Sequence, residues 1–129
     1  MPRARNIKYQ FFTNEILGQY DPLCQLLFAG LWCLADCEGI LEDRPLRIKA
    51  EIFPYRDGID INGYLTVMER DNFIVRYIIA GVAYIQIQNF KKHQKPHHTE
   101  KPKNFPKPPT KDVINQEHNK ITVKSTLDN

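Results

Sequence analysis

The sequence predicts an α+β fold in which helices precede a β-hairpin and a basic, proline-rich segment follows. Residues 44–53 and 60–72 carry apolar side chains at helical spacing, on either side of a turn at 54–58. Residues 73–87 alternate side chains as strands do, around a turn at Ala80-Gly81. This order of elements indicates a winged helix-turn-helix, with three to four helices and a C-terminal β-hairpin wing.

The first helix of the pair begins at Pro45, because proline's missing N–H has no partner at the first helical position. Leu46, Ala50 and Phe53 follow at spacings of four and three, which predicts that they form the buried face. Pro54 ends the helix, since the residue before a proline avoids the α region.

The second segment of the pair allows two interpretations. Asp60 is a good N-cap for a helix. Apolar side chains follow it at helical spacing, at Ile61, Leu65 and Met68. Asn62-Gly63, however, is also a strong two-residue hairpin signal. We favour the helix, with Asn72 as its left-handed stop.

The most apolar predicted helix opens at Asp21-Pro22, which supplies an N-cap and a first-turn proline. Five leucines then repeat at spacings of three and four, and Phe28 and Trp32 widen the apolar surface almost all round. A helix of this kind is central to a domain. Ile40-Leu41 is short and apolar, which is compatible with a strand that pairs with the hairpin.

The large apolar side chains of the 129 residues fall almost entirely before residue 91. This predicts a winged-helix domain over residues 1–90 and a flexible tail over 91–129, since the tail cannot bury enough surface to order itself. Charge divides in the same way. Residues 1–90 carry 9 Lys/Arg against 11 Asp/Glu, whereas residues 91–111 carry 7 Lys against one acid. The basic character therefore lies in the tail.

Several classes of protein are not indicated by the sequence. No apolar run approaches the roughly 20 residues of a membrane span, so no membrane partner is expected. Three cysteines without a secretory segment suggest reduced thiols in a cytoplasmic protein. Cys33, Cys37, His93 and His97 could offer zinc ligands, but their spacing matches no usual finger, and we predict no metal and no cofactor. No catalytic motif is present, so an enzyme is not expected.

A nucleic-acid-binding role is favoured by polar and cationic side chains on the helix pair, the hairpin and the start of the tail. In such a module the second helix enters the major groove while neighbouring segments hold phosphates. The candidate DNA-binding residues are Arg44, Arg47, Lys49, Arg56, Asn62, Thr66, Arg70, Arg76, Tyr84, Lys91, Lys92, His93 and Lys95. Asp60, Glu69 and Asp71 oppose this interpretation, because acids on the second helix repel phosphate.

Three stretches resemble a family of phage and prophage winged-helix replication proteins. These are RARNIKYQFFTNE, LLFAGLWCLADCEGILEDRPLRIKAEIFPY and YIQIQNFKKHQKPH, within residues 3–98. The resemblance implies binding of double-stranded DNA in a bacterial host cell, at an origin or in replisome organisation. Longer relatives contact replication partners through a separate C-terminal region. Asn62-Gly63 departs from the smooth, leucine-rich second helix that such relatives tend to have.

Two other functions remain open at this point. The domain of net charge −2 could bind a replication or host protein rather than DNA. A phage transcription regulator is the third possibility, and it would predict a symmetric dimer on half-sites about one helical turn apart. The sequence contains nothing that resembles a dimerisation helix.

Overall fold

The structure, a computed structural model, describes residues 2–109 and the backbone of residues 121–123. The helices are α1 (Gln10–Thr13), α2 (Pro22–Leu34), α3 (Pro45–Ile52), α4 (Ile61–Arg70) and α5 (Phe90–His93), with a 3-10 turn at Leu17–Gln19. The strands are β1 (Ile40–Glu42), β2 (Ile74–Ile79), β3 (Val82–Ile87) and β4 (Ile121–Val123). This order, an α+β chain with a small antiparallel sheet, is compatible with a winged helix.

Helix α2 is the centre of the core, as predicted. The Asp21 side chain accepts a hydrogen bond from the Leu23 N–H at 3.2 Å, and Pro22 occupies the first turn. Leu27 and Leu31 are fully buried because the other elements surround the helix. Helix α2 therefore provides the apolar surface on which the other elements pack.

Helix α3 forms where predicted, but of the three residues predicted to be buried only Phe53, at its end, is buried. Leu46 is 90% exposed and Ala50 is also exposed, whereas Ile48 is buried. The inward face instead pairs Ile48 with Ile52 at the same spacing of four. Gly30 of α2 explains why the isoleucine face of α3 packs inward, since a Cβ at residue 30 would lie 2.6 Å from the Ile52 Cδ1 atom. The missing side chain lets α3 approach α2 on its isoleucine side.

Helix α4 confirms the helical interpretation of residues 61–70, and the hairpin alternative at Asn62-Gly63 is wrong. The Asp60 carboxylate accepts a hydrogen bond from the Gly63 N–H at 3.0 Å, which satisfies a free donor of the first turn. Asn72 has a φ of 65°, the left-handed conformation predicted for the helix stop. The cap thus outweighs the turn-forming tendency of Asn-Gly.

The hairpin strands β2 and β3, the short strand β1 and strand β4 form an antiparallel sheet in the order β1-β3-β2-β4. Ala80 and Gly81 both have positive φ, 52° and 80°, as a tight two-residue turn between twisted strands requires. Strand β1 pairs with β3, as predicted for Ile40-Leu41. One face of the hairpin carries buried isoleucines towards the helices, and Tyr77 is buried on the opposite face.

The prediction of a free tail from Lys91 is wrong for residues 91–109. Phe90 belongs to the core, Gln94 is 4% exposed, and the chain beyond α5 is irregular but packed on the domain. The predicted boundary at residue 90 therefore falls inside one packed unit. Apart from β4, the remainder of the predicted tail lies outside the described residues.

Candidate nucleic-acid interface

Arg76, predicted to contact DNA from the hairpin, is instead a buried side chain with 2% exposure. Its Nε lies 2.7 Å from Asp43 Oδ2, and its Nη2 donates to Asp43 Oδ1 at 3.2 Å. The guanidinium sits on the helix-facing side of β2, because residue 76 shares that face with Ile74. Arg76 therefore cannot contact a phosphate, and the prediction that it binds DNA is wrong.

Asn62 and Thr66 are exposed on α4, but both turn a side-chain oxygen towards Arg76. Asn62 Oδ1 accepts from Arg76 Nη2 at 2.7 Å, and Thr66 Oγ1 lies 3.4 Å from Arg76 Nη1. The Glu69 carboxylate accepts from the Arg76 backbone N–H at 3.2 Å. These bonds fix the orientation of α4 against the sheet, which is a structural role that the sequence did not indicate.

The other predicted cations of the helix pair, α3 and α4, are accessible to solvent, but acidic residues balance them. Arg44, Arg47, Arg56 and Arg70 are exposed, and Lys49 is half-buried. Residues 44–71 carry five Lys/Arg and five Asp/Glu, so the helix pair has no net charge. The predicted recognition helices therefore do not supply a cationic surface by themselves.

Two of these arginines have acidic neighbours. Arg44 lies 3.8 Å from Glu42, and Arg70 lies 3.0 Å from Asp71. The hydrogen bond from Arg70, with a second from Tyr20, holds the pKa of Asp71 below its ordinary value. At neutral pH the Arg70 charge is thus opposed by an adjacent carboxylate.

Arg5 joins the N-terminal segment to the docked tail. Its two Nη atoms each lie 2.8 Å from a Glu100 oxygen, and the two side chains are 5% and 6% exposed. The same guanidinium donates to the carbonyls of Trp32 and Ala35 at the end of α2. Hydrogen bonding to Arg5 holds the pKa of Glu100 below its ordinary value.

Further contacts align residues 2–8, which we call the arm, with the tail. The Asn6 N–H donates to the Gln94 side-chain oxygen at 2.8 Å, and the Gln94 amide donates to the Asn6 carbonyl at 2.7 Å. Lys8 Nζ donates to the Lys92 carbonyl at 3.2 Å. The arm and the tail consequently lie side by side.

The end of the described tail is anchored at two points. The Lys103 N–H donates to buried Asp36 at 3.2 Å, and the Tyr77 hydroxyl donates to the Pro106 carbonyl at 2.6 Å. Tyr84, predicted to contact DNA, is half-buried between the rings of Tyr77 and Phe105, each 5.6 Å away. The tail thus covers the face of the sheet that carries Tyr77 and Tyr84.

The arm and tail together form what we call the arm–tail surface. Apart from the buried Arg5, its cationic side chains are exposed: Arg3, Lys8, Lys91, Lys92, Lys95, Lys101, Lys103 and Lys107. The Glu100 carboxylate is turned inward to Arg5, and Glu38 lies 2.9 Å from Lys91. His93 is also exposed here. The predicted residues Lys91, Lys92, His93 and Lys95 are therefore brought together, alongside arm residues that were not predicted to contact DNA.

The cysteines and histidines do not form a metal site in the part of the chain that the structure describes, where no three His, Cys, Asp or Glu side chains cluster suitably. The three cysteines are free thiols, and burial raises the pKa of Cys24 to about 11. A thiol of this kind is mostly protonated at neutral pH and is a weak nucleophile.

Comparison of the chain with protein-family models, curated proteins and solved structures finds no match. Across residues 2–109 and 121–123, no helix has the length and apolar character needed to cross a membrane.

Proposed function

We propose that this chain is a winged-helix protein that binds double-stranded DNA, with the arm–tail surface holding the phosphate backbone. The observation that carries the proposal is the placement of eight exposed Lys/Arg side chains on two segments that the buried Arg5–Glu100 pair holds together. Phosphate neutralisation by such side chains supplies most of the sequence-independent affinity for DNA.

Docking of the tail supports this role in a specific way. Flexible cationic segments lose conformational freedom when they bind, whereas residues 91–109 are already held by backbone and side-chain hydrogen bonds. The helix pair, which has no net charge, contributes shape and polar contacts, with α4 as the element that enters the major groove. Replication of phage DNA is the process implied by the resemblance of residues 3–98 to phage replication proteins.

The test is a fluorescence-anisotropy titration of the full chain with duplex DNA over a range of salt. A triple variant, K92A/K95A/K101A, removes three cations of the arm–tail surface. The matched control, R44A/R56A/R70A, removes three from the helix pair. We expect the first variant to reduce the log–log salt slope by about 0.9 for each phosphate that is no longer neutralised. Equal, small effects from both variants would contradict the proposed surface.

A second candidate function is binding of a replication or host protein. Leu46 of α3 and Tyr55 of the following turn are 90% and 98% exposed, more than the other exposed large apolar side chains of the described residues. This observation favours a protein partner on the helix pair. The two functions separate in the same titration, because a chain that only binds protein would show no anisotropy change with duplex DNA at low salt.

A further inference from the structure

A cleft of about 200 Å³ lies where the docked tail meets α3 and β1. Three cationic side chains line it: Arg44 and Arg47 from the start of α3, and Lys103 from the tail. Two carboxylates, those of Glu42 and Glu51, also line it. The apolar part of the lining consists of Pro2, Phe105 and the aliphatic residues Leu34, Leu41 and Ile48.

We infer that this cleft binds one nucleotide unit, in particular an unpaired nucleotide of the bound DNA. The three kinds of lining match three chemical features of a nucleotide. The cations suit the phosphate, the Phe105 ring and the aliphatic side chains suit the flat face of the base, and a carboxylate accepts hydrogen bonds from an exocyclic amino group of the base. The volume is below the roughly 300–1,000 Å³ of most ligand pockets, which limits the occupant to a single unit.

The position of the cleft connects it with the rest of the proposed interface. Lys103 and Phe105 are held in place because the Lys103 N–H is bonded to Asp36 and the Pro106 carbonyl to Tyr77. The cleft is thus assembled only when the tail is docked, between the arm–tail surface and the helix pair. A strand whose phosphates follow the arm–tail surface would pass beside it. The inference rests on the proposed function for the source of its ligand.

The test uses four ligands with the full chain: a blunt duplex, the same duplex with one unpaired deoxycytidine, deoxycytidine monophosphate, and inorganic phosphate. The double variant R47A/K103A removes two cleft cations. The control K49A/K101A removes one cation from the same helix and one from the same tail segment, neither of which lines the cleft. Substituting Lys103 leaves its backbone N–H available to Asp36. Circular dichroism establishes that both variants are folded.

We expect the wild-type chain to prefer the bulged duplex over the blunt one by roughly tenfold, a gain of the size that base stacking on an aromatic ring provides. R47A/K103A should abolish that preference. K49A/K101A removes a cation of the arm–tail surface and should weaken binding to both duplexes alike, so it should retain the preference. Phe105→Leu, which keeps an apolar side chain but removes the ring, should also lose it. The free monophosphate is also tested as a ligand in its own right. If the wild-type chain binds it more tightly than inorganic phosphate, and R47A/K103A loses this binding, free nucleotides are identified as a second source of the ligand.

The failures of the two proposals are distinguishable. If the wild-type chain binds both duplexes equally and does not bind the monophosphate, the nucleotide site is excluded while DNA binding stands. The same conclusion follows if both double variants lose the preference equally, since only total charge would then matter. If the chain binds neither duplex but binds the monophosphate through Arg47 and Lys103, the cleft is supported and the proposed function is excluded.

Discussion

Arg5 and Glu100 stand 95 positions apart in the sequence, yet they form a two-point ion pair with both N–O distances at 2.8 Å. Because Arg5 also bonds the carbonyls of Trp32 and Ala35, a single guanidinium joins the arm, the end of α2 and the tail. Docking of the arm and docking of the tail are therefore energetically coupled. Breaking this pair should affect both the stability of the chain and the proposed binding to DNA.

Replacing Glu100 with Gln should destabilise the docked tail. Removal of one partner of a buried ion pair costs roughly 3–5 kcal/mol when the other charge stays buried, and release of the tail limits the loss by returning Arg5 to water. Limited proteolysis within residues 91–109 should become faster, and the midpoint of urea unfolding should fall. The control is Glu38→Gln, which removes the more exposed pair with Lys91 and should change both measurements much less.

The same pair predicts an acid-dependent release of the tail. The pKa of Glu100 is lowered from 4.5 in the folded chain because Arg5 hydrogen-bonds to its ionised form. The stabilisation is therefore complete above the unfolded pKa and is lost as pH falls through the lower, folded pKa. Fluorescence of Trp32, the only tryptophan of the chain, should report the change below about pH 4.5. Since Asp71 and Glu38 also have lowered pKa values, the relevant quantity is the difference between wild type and Glu100→Gln, and identical acid titrations would contradict the prediction.

Arg76→Met should be strongly destabilising, by roughly 3–5 kcal/mol, because Asp43 would remain buried without its cation. The double variant Asp43→Leu with Arg76→Met should recover much of the loss, since the Asp43 carboxylate is removed together with the Arg76 cation. Urea unfolding of the two single variants and the double variant gives the coupling energy. A fully additive cycle would show that the two side chains do not depend on each other. Arg70→Met, at an exposed site, is the matched control and should leave the unfolding midpoint unchanged.

The local features of the fold could be predicted from the sequence because each depends on a few neighbouring residues. The caps at Asp21 and Asp60, the left-handed stop at Asn72 and the turn at Ala80-Gly81 all form as expected. The inward face of α3 could not be predicted in this way. Two apolar pairs at a spacing of four compete on that helix, and the choice is made by contact with Gly30 of another helix.

The candidate site was harder to predict because its charged side chains pair with residues that are far away in the sequence. The alternating pattern of the strand predicts where Arg76 lies. It does not predict that Arg76 pairs with Asp43, which is 33 positions away in the sequence. The composition of residues 91–109 predicts a free tail, since the segment has few apolar side chains. Its docking comes instead from Glu100, Gln94 and backbone hydrogen bonds, which composition does not reveal.

Gly63→Ala gives a test of the α4 cap. Alanine is favoured over glycine within a helix by about 1 kcal/mol. Here, however, the new Cβ would collide with the Asp60 carboxylate, so the cap would have to move, at a cost of about 1 kcal/mol. We therefore expect almost no change in stability for Gly63→Ala alone, measured by urea unfolding. In an Asp60→Ala background the same substitution should stabilise the chain by about 1 kcal/mol, because the cap is already absent. Equal effects in the two backgrounds would show that the cap does not respond to the new methyl group.

A variant of the Arg5–Glu100 pair also tests whether docking of the tail increases the affinity of the arm–tail surface for duplex DNA. Glu100→Gln makes the chain more positive by one charge, so total charge alone predicts tighter binding to duplex DNA. If the docked geometry is what aligns Lys92, Lys95 and Lys101 with phosphates, releasing the tail should instead weaken binding, because the segment must be ordered again on the DNA. We expect a higher Kd for Glu100→Gln than for wild type at the same salt concentration, measured by fluorescence anisotropy. Glu38→Gln supplies the control, since it adds the same charge without touching the buried pair. A Kd that falls equally in both variants would mean that the tail contributes charge and nothing more.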